Sequence, residues 1–116
     1  MGAEPGYQRL SAASLRATLL GKAVTDDAHW TDRFRADGVL DSYELGESRP
    51  GIWGIEHGEL CLERKAKRPV KDCFEIWIKG DHVEYRRDGV TVLAGMIRND
   101  TASPEGPQFQ SKGASK

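Results

Sequence analysis

Long apolar runs are missing from this chain of 116 residues. No window approaches the roughly 18 consecutive apolar residues of a membrane-spanning helix. A surplus of one charge is missing too. The 17 basic residues face 18 acidic ones, both signs are interspersed, and the formal net charge is −1. Such a balance exerts no general pull on nucleic acid or on an anionic membrane. Cysteine is scarce, with only Cys61 and Cys73. Two cysteines allow one internal disulfide or two free thiols. Recognisable catalytic, metal and nucleotide motifs are missing as well. The three histidines, His29, His57 and His82, have neither helical i, i+4 spacing nor close strand spacing with a third ligand. Scattered surface histidines are the plainer reading, and no metal or cofactor is expected. No nucleophile-elbow signal is present. Cys73 follows Asp72, but a disulfide would silence its thiol. The chain is therefore not expected to be an enzyme.

What is present is turn chemistry. Asp37-Gly38, His57-Gly58, Gly80-Asp81 and Asp88-Gly89 punctuate one stretch at short intervals. Each is flanked by segments rich in Val, Ile, Leu, Phe, Tyr and Trp. This rhythm predicts a meander of antiparallel hairpins. About eight short strands in about 80 residues must curl to cover their apolar face, giving a small barrel or half-barrel. With 38% apolar and 30% charged residues, the chain has the material for one domain with one modest core.

Before the meander the period is helical. Ser11 reads as an N-cap, with Leu10 and Leu15 at the two positions of a hydrophobic staple. Leu15 and Leu19 share a face, and Gly21 suits the residue after the helix. The expectation is a short helix at 12–20, then strands at 22–26, 29–35, 38–44, 51–56, 59–64, 73–79, 82–87 and 90–98. Residues 1–10 read as a flexible N-terminus, 11–98 as the barrel domain, and 99–116 as a disordered polar tail whose one aromatic is Phe109.

The turns also fix registers. A two-residue turn at His57-Gly58 sets Trp53 opposite Leu62 and Ile55 opposite Leu60. One at Gly80-Asp81 sets Ile78 opposite Val83 and Ile76 opposite Tyr85. One at Asp88-Gly89 sets Tyr85 opposite Val92 and Val83 opposite Ala94. The predicted inner face holds Trp53, Ile55, Leu60, Leu62, Phe74, Ile76, Ile78, Val83, Tyr85, Val90, Val92, Ala94 and Met96. A slip of one residue would flip any strand. Trp77 turns outward in this register, beside Cys61 and Cys73. Those cysteines fall on one face of successive strands, within bridging range if near-opposite. A bridge would close a loop of about 13 residues, worth roughly 3 kcal/mol. Free thiols remain the alternative.

The strings Leu20-Gly21-Lys22-Ala23-Val24, Phe34-Arg35-Ala36-Asp37-Gly38 and Gly51-Ile52-Trp53, running on to Gly58-Glu59-Leu60-Cys61 and Asp72-Cys73-Phe74, carry a resemblance. They resemble a group of small uncharacterised bacterial exported domains of lipocalin-like (calycin-type) shape. The likeness spans about residues 12–98. It implies a lipocalin-like β-barrel, periplasmic or secreted localisation and a Cys61–Cys73 bridge, with no established activity. Met1-Gly2-Ala3-Glu4-Pro5 reads as the polar beginning of a chain whose export signal has been removed.

Candidate site residues follow from the pattern. Carboxylate pairs at Asp26-Asp27, Asp37/Asp41 and Glu44/Glu47 suit turns and rims. Asp41 alternates with Val39 and Tyr43. It is expected to point inward, where its charge needs Arg33 or Arg35. Tyr43, Trp53, Tyr85 and Asp41 are the candidate ligand-binding residues. The basic run Arg64-Lys65-Ala66-Lys67-Arg68 reads as a solvated loop between strands. With Trp77, its Lys65, Lys67 and Arg68 form the candidate partner surface. The leading functional expectation is a non-enzymatic exported domain binding a small apolar molecule or a protein partner. The alternatives are a periplasmic inhibitor-type module acting on a hydrolase and a structural envelope protein.

Overall fold

The computed structural model describes residues 6–99. The expectations for residues 1–5 and for most of the polar tail lie outside the described residues. Helix α1 (Ala12–Leu19) follows the cap predicted for it. The Ser11 hydroxyl accepts the backbone N–H of Ser14, and Leu15 and Leu19 are buried. Leu10 packs against the same core, completing the staple. Among the described residues no helix is long and apolar enough to cross a membrane.

Ten strands follow the chain order: β1 (Gln8–Arg9), β2 (Lys22–Thr25), β3 (Trp30–Phe34), β4 (Val39–Glu44), β5 (Glu47–Ser48), β6 (Gly51–Glu56), β7 (Glu59–Arg64), β8 (Lys71–Lys79), β9 (His82–Arg87) and β10 (Val90–Asn99). Eight of them close an antiparallel barrel in the order β2-β3-β4-β6-β7-β8-β9-β10, with β10 returning to β2. Closure removes the free edges that an open sheet exposes. The two short strands serve the same end. β5 covers the upper part of β4, and β1 covers the lower part of β8 where β7 has already turned away. Residues 8–10 are therefore strapped to the barrel, the Leu10 N–H donating to the Ile76 carbonyl. This corrects the expectation of a loose segment through residue 10. The unsatisfied edge of β8 supplies the reason.

Two of the three hairpin registers stand as read. Trp53 faces Leu62 and Ile55 faces Leu60; Ile76 faces Tyr85 and Ile78 faces Val83. His57 and Gly58 both take positive φ, the backbone of a tight hairpin turn. The same registers set Cys61 opposite Cys73, and the two form a disulfide on the outside of the barrel.

The third register differs. A bulge between Thr91 and Leu93 adds one residue to β10, so Leu93 faces Tyr85 and Gly95 faces Val83. Leu93, Gly95 and Ile97 turn inward, in place of Val92, Ala94 and Met96. Val90 and Val92 are left 63% and 46% exposed. Gly95 explains why the shifted register wins. A Cβ there would stand 2.8 Å from the Thr25 carbonyl and 3.1 Å from the Trp30 ring. A side chain at this inward position meets a wall, and glycine lets the strands approach.

The barrel has two unlike ends. At the lower end α1 acts as a plug. Leu15 and Leu19 join Val24, Phe34, Leu40, Trp53, Leu60 and Leu62 in one core. The Phe34 and Trp53 rings meet edge to face, and the Trp53 indole N–H donates to the Arg35 carbonyl at 2.9 Å. The upper end carries the turns at 26–29, 45–46, 65–70 and 88–89, and there the lining turns polar.

Two of the three tryptophans separate core from surface. Trp53 is 7% exposed. Trp77 lies on the outer face beneath the Arg86 guanidinium, 4.4 Å from its ring centroid. Trp53→Ala should remove about 3–5 kcal/mol, a large share of the 5–15 kcal/mol typical of such a domain. Trp77→Ala should remove about 1 kcal/mol. Urea midpoints of the two variants measure the contrast, and the reverse order would overturn the inner face described here.

Candidate functional site

The upper end of the barrel opens into a cavity of about 360 Å³. Inward-facing positions of neighbouring strands build its floor. On β3 the period-two face carries Trp30, Asp32 and Phe34; on β4 it carries Leu40 and Ser42; on β7 it carries Leu62 and Arg64; on β9 it carries Tyr85. Asp32 is 1% exposed. Its Oδ1 accepts the Ser42 hydroxyl at 2.7 Å and Arg64 Nη2 at 3.0 Å, and its Oδ2 accepts the Tyr85 hydroxyl at 3.1 Å. Arg64 Nε also donates to the Ser42 oxygen at 3.3 Å. A buried carboxylate is tolerated because three other strands, β4, β7 and β9, send donors to it.

Above this floor the lining stays charged. Asp72 meets Arg87 at 3.5 Å, and the Arg87 guanidinium lies 4.6 Å from the Phe74 ring centroid. At the rim Glu44 pairs with Arg49 at 3.1 Å. Arg68, Val70, Leu93 and Tyr43 complete the wall. The turn that leads into Trp30 is fixed by Asp26. Its Oδ1 accepts the backbone N–H groups of Ala28, His29 and Trp30, and its Oδ2 meets the His29 ring at 2.9 Å. Those donors hold the Asp26 carboxyl well below the usual carboxylate range, the His29 N–H having the largest effect.

The candidate residues are scattered. Tyr85 is buried at the floor. Trp53 is core at the opposite end. Asp41 lies on the outer face, and Tyr43 stands at the rim, lining both the mouth and a hollow outside it. Arg35 reaches Asp41 at 3.6 Å, and the Arg33 guanidinium stands 5.7 Å from the Tyr43 ring centroid. The expected inward turn of Asp41 is thus corrected: Leu40 and Ser42 hold the inner face of β4, and the alternate residues must point out. A hollow of about 450 Å³ next to Tyr43 lies outside the barrel, along the face that includes Thr25, Thr31 and Arg33. It is larger than the mouth but has no deeply buried charge behind it. Lys65 and Lys67 are exposed on the 65–70 loop, and Arg68 alone of the three reaches the cavity. Lys71 instead pairs with Glu56 at 2.7 Å on the outside. Among the described residues no group of three or more His, Cys, Asp or Glu could hold a metal ion.

Asp32, Ser42 and Arg64 are the residues that turn and charge patterns overlook. The signal for Asp32 was its place between Trp30 and Phe34 at period two, an acid sharing a face with two aromatics. For Arg64 the signal was its parity with Leu60 and Leu62. Compared with known proteins, the chain matches no family model, no curated protein and no solved structure.

Two expectations test the floor. Arg64→Met leaves the buried Asp32 carboxylate without its cation and should destabilise by about 3 kcal/mol. The double variant Asp32→Asn/Arg64→Met should recover part of that loss, and a double-mutant cycle in urea measures the coupling. Strict additivity would refute it. The Tyr85 phenol is held protonated well above its ordinary pKa, by burial first, then by the Asp32 charge and the hydrogen bond to it. Its folded value lies above its unfolded one, so its contribution to stability is full below pH 10 and is lost as pH rises beyond that. The urea midpoint should fall above pH 10, and Tyr85→Phe should flatten that fall by one proton's worth of slope.

Proposed function

We propose that this chain is a non-enzymatic exported binding domain whose site is the open upper mouth of the barrel. The observation that carries the reading is the Asp32–Arg64 pair at the base of an open cavity. An apolar filling of similar volume serves stability as well as a buried ion pair or better. A charged, hydrogen-bonded floor beneath a mouth is the arrangement that orients a ligand. The carboxylates of the lining are already held by guanidinium groups, which suits recognition more than proton transfer. The same lining favours a ligand that carries a polar or charged group over a wholly apolar one, because the apolar interior is occupied by the side chains of the core.

Export is supported by the Cys61–Cys73 disulfide, since such bonds persist in oxidising compartments. Kinship with lipocalin-like, calycin-type bacterial exported domains is supported by shape: a closed eight-stranded meander sealed at one end and open at the other.

A protein partner at the rim is the second reading. Leu45 favours it. This residue takes φ 51°, a conformation that bulky side chains rarely adopt, and is 74% exposed at the tip of the β4–β5 hairpin. Val70 and Val90 stand exposed on the other upper turns. An inhibitor-type module would use such a rim, with the 65–70 loop beside it. No observation favours a purely structural envelope role.

Titration of nitrogen-15-labelled protein with a library of small polar fragments tests the mouth. Amide shifts should concentrate at Trp30, Ser42, Arg64 and Leu93. Binders that spread over the outer face instead would remove the mouth as the site.

A further inference from the structure

We propose that the mouth is selective for an organic monoanion, its head group held by Arg68 and its body lying against Trp30 and Leu93. This rests on the mouth being a binding site. Charge balance around the cavity points to this ligand. Three acids, Asp32, Glu44 and Asp72, and three guanidinium groups, Arg49, Arg64 and Arg68, line the cavity, and a fourth guanidinium, Arg87, reaches Asp72 from outside the lining. Asp32 is matched by Arg64 at 3.0 Å, Glu44 by Arg49 at 3.1 Å, and Asp72 by Arg87 at 3.5 Å. Arg68 remains. It lines the cavity and has no carboxylate within ion-pair distance among the described residues. The nearby Lys65 and Lys67 likewise have none, so the uncompensated field at this wall is positive.

The size of the surplus sets the ligand class. One unmatched guanidinium inside the mouth suits one negative charge. A polyanion would need a continuous basic stripe, and the chain as a whole is nearly neutral. A carboxylate or a singly charged phosphoester fits the planar fork of Arg68, whose N–H groups donate to two oxygens side by side. The opposite wall is apolar. Trp30 lies edge to face with Tyr85, their centroids 5.7 Å apart, and Leu93 is brought inward by the bulge in β10. The volume of about 360 Å³ sits at the small end of the range for small-molecule sites. Head group on one wall and flat or aliphatic body on the other is the ligand shape that results.

Three probes with one body and different charge decide the matter: 2-naphthoate, 2-naphthamide and 2-naphthylmethylamine, each titrated into labelled protein and followed by amide and Trp30 indole shifts. Naphthoate should bind at the mouth about tenfold tighter than the amide, the worth of one charge-assisted hydrogen bond, with the amine weakest. Arg68→Ala should cut naphthoate affinity about tenfold with the thermal melt unchanged, because Arg68 is exposed and packs into no core. Equal affinity for acid and amide at the mouth would overturn the anion assignment and leave the binding reading standing. Mouth binding of naphthoate unaffected by Arg68→Ala would overturn the role given to that residue. Shifts from none of the probes at the mouth would overturn both readings.

Discussion

The interaction on which the barrel turns is the burial of the Asp32 carboxylate. Removing such a group from water is expensive, several kcal/mol even after relaxation. It is offset only when all its donors are in place. Those donors come from β4, β7 and β9, so the requirement reaches across the barrel as well as along the sheet. Moving any of these strands by one residue would send its donor to the outside and leave the acid unpaired. The hydrophobic alternation makes the barrel close, and the carboxylate makes one closed register better than its neighbours.

The polar floor also explains the difference between the ends. Small barrels are usually filled by their own side chains. Below Asp32 that holds: aromatic and aliphatic groups meet the two leucines of α1. Above it, Arg64 needs part of its surface near solvent, and the residues around it follow suit. Glu44 with Arg49 and Asp72 with Arg87 are exposed pairs that add little to stability on their own. Their arrangement around the cavity therefore owes little to the demands of folding.

Much of this architecture was legible in the residues. His57-Gly58 and Gly80-Asp81 are unambiguous turns, and the registers they impose are those of the structure, including the facing cysteines. Asp88-Gly89 is as clear a turn, yet the register beyond it is shifted, because a bulge leaves no mark on a run such as Val90-Thr91-Val92-Leu93. Only Gly95 hints at the close approach. The Leu45-Gly46 turn was hidden for the opposite reason: leucine is a poor first residue for a turn with positive φ, and nothing local announces it. Asp41 and Asp32 show why the site was harder to read than the fold. Both alternate with large side chains on strands. Which face is inner depends on pairing across β3 and β4, and there no two-residue turn fixes it.

The way the chain enters and leaves the barrel has a practical corollary. Gly6 lies beside Lys79, and Asn99 pairs with Lys22, so both ends of the described chain leave near the end plugged by α1. A surface, a bead or a fused reporter joined directly at Gly6 or at Asn99 would hold the molecule like a cup by its base, with the rim facing away. Protein immobilised at either of these two positions should then present its cavity to solution in one common orientation.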